Sequence, residues 1–424
     1  MPHPLARHRR PTPPVLPALV AGVLACGPAA AADWPQIGGP NRDFVVPDAR
    51  LSTTWPAGGP PVLWRKPLGA GYSGITVVGD RLFTMAREGN REVVVCMRLS
   101  DGSSLWRHAY DAPIDPSMGM EHGSGPHATP LHTADGLYTL GIRGALIAFD
   151  AETGKVRWRR ELVGELGAPQ LDRGHAASPL AWRDNLIVPV GGKGRAIAAI
   201  SRASGELQWR SADFDNSYSS PKSIELGGKP LLLLFGSGGL LGLDPDTGRV
   251  LLTQAHPTMY GLNISMPVFV PERDGAGVLF LSSAYDGGSR ALRLRRQGDR
   301  IAAEQLWATK QMRLHIGNAI AHDGVVYASS GDFGAVPLAA VDLATGQILW
   351  RDRAFARAGL VLAGDELLVL DEDGVLGIAT PTRTGLTVHA KVDLFGTRVW
   401  TAPTLVGNKL LARDQREIVA VELP

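Results

Sequence analysis

The chain reads as short apolar runs, many alternating with polar residues and cut by glycine or aspartate. Gly136-Leu137-Tyr138-Thr139-Leu140, Leu146-Ile147-Ala148-Phe149 and Gly324-Val325-Val326-Tyr327-Ala328 are typical. Short period-two runs bounded by turn residues predict β-strands, and no useful length of chain carries helical periodicity. The runs recur in a fixed order: an apolar strand, often Asp, then Thr-Gly or Ser-Gly, three residues and Trp. The clearest copies run Leu146–Asp150, Thr153-Gly154, Trp158 and Leu338–Asp342, Thr345-Gly346, Trp350. Ala198–Ile200 with Ser204-Gly205 and Trp209, and Val95 with Asp101-Gly102 and Trp106, follow with small changes. Leu243-Asp244 with Thr247-Gly248 keeps the turn and puts Leu252 in place of Trp. Degraded copies lie around Gln297-Gly298 with Trp307 and around Thr384-Gly385 with His389.

Each copy predicts a strand, a tight turn in which Gly takes positive φ, and a returning strand that carries Trp. Two more apolar runs precede each copy, so the unit is a four-stranded antiparallel sheet. Such a sheet cannot bury both faces alone, and radial packing of several is the solution that also leaves only short edges. Innermost strands are expected to start near Gly71, His127, His175, Tyr218, Asn263, His315, Ala358 and Trp400, which makes eight units. The last, 397–424, stops after its third strand, Ile418-Val419-Ala420-Val421. The missing fourth is expected at 61–68, where Val62-Leu63-Trp64-Arg65 resembles Leu349-Trp350-Arg351. The expected fold is therefore all-β, an eight-bladed β-propeller of four-stranded antiparallel blades. Seven blades occupy 71–396, and an N-terminal strand completes the last. Trp64, Trp106, Trp158, Trp209, Trp307 and Trp350 are expected to dock neighbouring blades.

Composition agrees with so many turns: of 424 residues 51 are Gly and 31 Pro, while only 20% are charged, which excludes a disordered or coiled-coil chain. Residues 1–32 read as an export signal, with Arg7, Arg9 and Arg10, an apolar run from Val15 to Ala25 and Ala30-Ala31-Ala32 before Asp33. Its removal takes three Arg and no acids, so 43 basic residues fall to 40 against 41 acidic ones, a net charge of −1. That balance excludes an electrostatic nucleic-acid partner. Cys26 follows Val23-Leu24-Ala25, an imperfect lipobox, so an outer-membrane lipid anchor at Cys26 and plain cleavage after Ala32 are both open. Cys96, in Val93-Val94-Val95-Cys96, reads as a buried strand residue. The single domain is expected to span 33–424 as a monomer in the periplasm.

The Asp-x-x-Thr-Gly-x-x-x-Trp pattern resembles the repeats of the pyrroloquinoline-quinone-like (PQQ-like) β-propeller family over nearly all of 33–424. The opening Asp33-Trp34-Pro35-Gln36 with Gly39-Pro40-Asn41-Arg42-Asp43 is similar to an exported bacterial branch. The ending Trp400-Thr401-Ala402-Pro403 with Arg413-Asp414-Gln415 is similar to it too. The resemblance implies one of two roles. In the BamB-like branch the propeller is a non-catalytic scaffold of the bacterial cell envelope, with outer-membrane proteins as partners. In the quinoprotein branch it is an alcohol or sugar dehydrogenase holding PQQ with calcium, one face of which stacks on a disulfide between adjacent cysteines. This chain has no adjacent cysteines, so the scaffold reading leads and no cofactor is expected. A carbohydrate-binding propeller is a further alternative.

Aligning the inner strands on Pro130, Pro179, Pro221, Pro267 and Pro403 sets His127, Tyr218 and Trp400 three residues before the proline. His175 and Asn263 fall four before it, and His315 aligns with them in the sixth blade. These six are expected at one mouth of the axial channel, as a wet lining or as the site of a ring-shaped or sugar-like ligand. No metal is expected, since no His-x-His or carboxylate companion fixes a geometry. Lys193 in Gly191-Gly192-Lys193-Gly194 reads as a hairpin turn. The segment from Tyr110 to Ser124, with Met118, Met120 and His122, is long enough to cap the mouth.

Overall fold

The computed structural model describes Met1 and residues 33–121, 123–334 and 336–424. The expected export signal, Cys26 and His122 lie outside the described residues. Eight sheets of antiparallel strands follow one another along the chain. Blades 1 to 7 occupy 76–111, 131–161, 180–211, 222–255, 268–309, 320–352 and 358–393. Blade 8 is built from Thr404–Val406, Lys409–Arg413 and Glu417–Glu422, and Val62–Pro67 pairs antiparallel with Glu417–Glu422 as its outer strand. An early strand and the last three thus share one blade and the ring is closed. The only helix among the described residues is the single turn Leu162–Leu166.

One detail of the outer strands repeats in every blade. Each carries a register irregularity that skips one residue just before the tryptophan position: Leu63 before Trp64, Leu105 before Trp106, Arg157 before Trp158. A bulge re-aims the next side chain, and here it turns the indole toward the following blade. Trp64 Nε1 donates to Leu99 O at 2.8 Å, Trp106 to Ala151 O at 3.0 Å, Trp158 to Arg202 O at 2.8 Å, Trp307 to Leu343 O at 2.8 Å and Trp350 to Thr382 O at 2.8 Å. Each acceptor opens the turn between third and fourth strands of the next blade. In five of the six indole junctions the ring then lies on the glycine of that turn; at Trp350 it does not, since a Cβ on Gly385 would meet nothing within 4 Å. A Cβ on Gly102 would come within 2.6 Å of Trp64, one on Gly154 within 2.6 Å of Trp106 and one on Gly248 within 2.6 Å of Trp209. Positive φ of 68° at Gly102 and 70° at Gly154 independently favours glycine there. The Asp of the repeat builds the turn: Asp150 Oδ1 accepts from the amide (2.8 Å) and hydroxyl (2.7 Å) of Thr153, which holds the Asp150 carboxyl below its usual range.

Two junctions lack the indole and use other means. In blade 4 the register puts Leu252 at the tryptophan position. There Arg296 of blade 5 reaches back to Leu226 O and Pro230 O, both at 3.0 Å, over a shared aliphatic core that includes Leu231, Leu233, Leu279 and Leu292. In blade 7 the sequence points to His389 at that position. The structure corrects this: His389 is the skipped residue of the bulge and Ala390 stands in the register of Trp. The degenerate Thr384-Gly385 turn hid the one-residue offset. The 7-to-8 junction is held instead by Arg65, which donates to Leu394 O at 3.0 Å and lies over the Phe395 ring.

The inner strands begin later than their sequence pattern suggests, at Thr76, Leu131, Leu180, Lys222, Val268, Ile320 and Thr404; only blade 7 starts at the expected Ala358. Pro130, Pro179, Pro221, Pro267 and Pro403 each stand immediately before the first strand residue. Proline has no N–H for the ladder, so pairing starts after it and the preceding residues become a loop across the channel mouth. Hydroxyl and amide side chains tie neighbouring inner strands together. Thr404 Oγ1 donates to Ile75 O (2.7 Å), Thr76 Oγ1 to Pro130 O (2.6 Å), Ser265 Oγ to Gly317 O (3.0 Å) and Asn318 Nδ2 to Leu360 O (2.9 Å).

Trp64 is 7% exposed, so Trp64→Ala is expected to cost about 3–5 kcal/mol in urea unfolding, the range for emptying a buried large aromatic site. Gly102→Ala should also destabilise. Its effect should shrink in the Trp64→Ala background, because the clash is with the indole; equal costs in both backgrounds would place the strain in the backbone alone.

Candidate functional site

The axial channel is closed at one end by residues 33–46. Trp34 exchanges backbone hydrogen bonds with Val77 of blade 1 (2.8 and 2.9 Å), and Pro35 O accepts from His132 N of blade 2 (2.8 Å). Arg42, buried, donates through Nη1 to Pro179 O (2.9 Å) and Nη2 to Ser178 O (3.2 Å) of blade 3, while Lys222 Nζ of blade 4 donates to Arg42 O (3.1 Å). Val45–Val46 then pairs in parallel with Leu362 and Ala363 of blade 7. A strap of fourteen residues therefore floors the ring. Its sequence showed only a family likeness; Trp34 and Phe44 spaced around a Gly-Gly-Pro turn were the available sign of an apolar plug.

Above this floor lies a well of about 740 Å³, with Trp34, Ile37 and Phe44 at its base. The residue four positions before the first residue of the inner strand faces it in seven blades: Tyr72, His127, Ala176, Tyr218, Ile264, Ile316 and Trp400 all line the well. This register explains where the sequence-chosen residues fall. His127, Tyr218 and Trp400 hold that position and line the well, whereas His175 and Asn263, one residue earlier, do not. In extended chain a one-residue shift turns the side chain to the other side. Blade 6 departs from the rule, with both His315 and Ile316 on the well. His175 is buried against Gly144 behind the wall. Asn263 is buried as a clamp between blades 4 and 5, donating to Gly236 O (2.7 Å) and accepting from Ser283 Oγ (2.5 Å). Tyr72 was missed because no proline marks blade 1, although counting back from Thr76 finds it.

The rim carries two aromatic groups. Tyr72 stacks between His127 (centroids 5.9 Å, planes 13° apart) and Trp400 (5.1 Å, 29°), and Trp400 Nε1 donates to Glu372 Oε2 at 2.8 Å beneath the Arg398 guanidinium. The second group centres on Tyr285, whose ring meets Tyr260 (5.3 Å), His315 (4.9 Å) and Phe333 (5.9 Å) edge-on. Between them Arg173 pairs with Glu121 and Asp172, and Gly119 N donates to Asp172 O (3.0 Å). These bonds pin the long loop after Tyr110, so that Gly119, Glu121 and Gly123 form part of the wall. Below it Glu92, buried, accepts from Tyr110 Oη (2.7 Å) and Ile142 N (3.1 Å) beside Arg87. Lys193 sits in an exposed turn and does not line the well, and the Cys96 thiol, buried in blade 1, is pushed up to about 11 by desolvation.

A quinone held by calcium needs carboxylate and amide ligands converging on the axis. The carboxylates that reach this well, Glu121 and Asp172, face Arg173 at the rim, and among the described residues no three His, Cys, Asp or Glu side chains group to hold a metal ion. The donor set does not fit that group.

A family model described as outer membrane protein assembly factor BamB, of the PQQ-like repeat type, matches residues 90–351, more than half of the chain. The chain belongs to this family. It is 23% identical to outer membrane protein assembly factor BamB of Yersinia pestis over 298 residues, 68% of this chain and 72% of that protein. It is 28% identical over 192 residues to a polyvinylalcohol dehydrogenase of Sphingopyxis sp. (strain 113P3), covering 44% of this chain but only 23% of that enzyme. Among solved structures, BamB from Moraxella catarrhalis superposes with a TM-score of 0.59 at 21% identity over 85% of this chain and 99% of that one. Quinohemoprotein alcohol dehydrogenase from Comamonas testosteroni gives 0.64 at 14% identity over 92% and 80%. At these identities the structures speak for the shared propeller fold.

Desolvation lowers His127, His175 and His256 from 6.5 to about 4, so the folded protein keeps all three neutral. On these three sites the unfolded chain therefore binds more protons than the folded one between about pH 6.5 and pH 4, and their contribution to stability should fall as pH drops through that window and stay level above it. Thermal or urea melts across pH 7.5 to 4.5 test this. His127→Gln should flatten the slope by up to about 1.4 kcal/mol per pH unit, one proton's share.

Proposed function

We propose that this chain is an exported, non-catalytic propeller of the bacterial cell envelope that binds another protein at the open mouth of its channel, in the manner of the BamB branch of its family. The observation that carries this reading is an apolar patch on the rim. Met259 is 64% exposed, Tyr260 64% and Phe333 75%, the largest exposures of big apolar side chains among the described residues of 33–424. Tyr285 joins Tyr260 to Phe333 by ring contacts, so the patch is continuous with the well. Clustered exposed aromatics beside a concave site mark interaction surfaces, and aromatic residues dominate the energy of such contacts. The poor fit of the well to a calcium-bound quinone supports the same side. The named role of the Yersinia pestis relative, in outer membrane protein assembly, supports an outer-membrane assembly protein as the partner.

The similarity to alcohol and polyvinylalcohol dehydrogenases favours a second reading, a quinoprotein dehydrogenase. Two measurements separate them. A photo-crosslinking residue at position 333 in living cells should trap an outer-membrane assembly protein, and Tyr260→Ser with Phe333→Ser should weaken that complex about tenfold or more without changing the melting temperature. Reduction of a dye by the purified protein with PQQ, Ca²⁺ and an alcohol would overturn the scaffold reading. A lipid on Cys26 is the finer form of the envelope proposal, and Cys26→Ala should then move the protein from the membrane fraction to the soluble periplasm.

A further inference from the structure

The strap that floors the well leaves a gap. Among the described residues its hydrogen bonds reach blades 1, 2, 3, 4 and 7 and pass over blades 5 and 6. The innermost strand of blade 5, Val268–Pro271, has no buried residue, whereas each of the other seven inner strands has at least one. This bare strand walls a second cavity of about 260 Å³. Its other side is the strap itself, at Arg42–Val45, with Lys222 beside it; Phe44, Met266 and Asn318 line both this cavity and the axial well.

The charge in that cavity does not balance. Arg42 is 3% exposed and Lys222 6%, and the one carboxylate with them is Asp43, which accepts from Val45 N at 3.1 Å. Arg42 directs Nη1 and Nη2 to Gln36, Pro179 and Ser178, but its buried Nε has no hydrogen-bond partner among the described residues. The charged neighbours acting on Lys222 are Asp43 and Arg42, one of each sign, and burial brings Lys222 down to about 8 and Arg42 to about 9. Two cations against one anion leave one positive charge buried, an arrangement that costs free energy unless a counter-charge joins it.

We propose that this second cavity binds a small monocarboxylate with an apolar tail, its carboxylate against Arg42 and Lys222 and its tail against Val268, Phe269 and Ala321. One negative charge cancels the excess, while a dianion would leave a new charge buried. The volume suits such a molecule, since a cavity of roughly 150 Å³ already holds benzene. Two sources carry this chemistry: a free short-chain acid, and the carboxyl terminus of an extended peptide lying along the bare strand as Val45–Val46 lies along blade 7.

The test is calorimetric titration of the full chain with sodium hexanoate and with hexanamide at millimolar concentration. Saturable binding of hexanoate is expected, with none of the amide. Lys222→Met should weaken hexanoate about tenfold or more, the loss of one charge-assisted hydrogen bond. Ala321→Phe, which keeps both cations and fills the cavity, should abolish it and decides the matter if the lysine variant does not fold. N-acetyl-Val-Val binding tighter than hexanoate, with its C-terminal amide inert, would assign the ligand to a chain terminus; the reverse order would assign it to a free acid. Equal binding of acid and amide, no saturable heat from any carboxylate, or unchanged affinity in both variants would overturn the proposal.

Discussion

Five of the eight blade junctions in this molecule depend on an indole resting on a glycine. A four-stranded blade has two apolar faces and no means of burying them alone, so its stability lies in how it meets its neighbours. The bulge before each outer-strand tryptophan, the turn Asp that shapes the next blade's hairpin and the glycine that leaves room for the ring form one repeated joint. Where the joint combines a hydrogen bond with ring burial, as at Trp64, Trp106, Trp158 and Trp307, it sets both the distance and the angle between blades. Eight such angles must add to a full circle. The two junctions without the indole keep the spacing by a buried aliphatic core in one case and by Arg65 over Phe395 in the other.

Closure is enforced twice. The strand Val62–Pro67 completes the ladder of blade 8 and also carries Trp64, which docks that blade onto the turn of blade 1. Arg413, fully buried and held down to about 10 by desolvation, adds a further tie, donating to Met85 O and to Gly69 O at 2.5 and 2.9 Å. The Arg413-Asp414-Gln415 run, which carries part of the family likeness, is therefore a structural seam: Gln415 both accepts from Gly71 N and donates to Gly71 O at 3.1 Å.

The fold was legible because its repeat is written in residue types with few alternatives. Thr-Gly followed by Trp records a positive φ and a ring above it, and both constraints survive in sequence. The site was legible only by register. Prolines located the inner strands of five blades, yet whether a residue faces the well depends on a single step, so His127 and His175, chosen by the same reasoning, stand on opposite sides of the wall. Tyr285 and Phe333 lie in loops between second and third strands, where no periodicity operates, and only the folded ring brings them to the rim beside His315. The strap was invisible for a related reason: its partners lie in five different blades, and no local pattern records contacts 136 residues apart, as between Arg42 and Ser178.

The seam also sets an order in time. Arg65 and Glu417 are paired across 352 residues of chain, so a strand made early must stay unpaired while seven blades' worth of sequence is synthesised. Until then the ring has two raw sheet edges and the docking indole of Trp64 has no blade behind it. Loop closure over that distance is slow compared with local hairpin formation. A protein built this way reaches its final shape late, in keeping with the export proposed above.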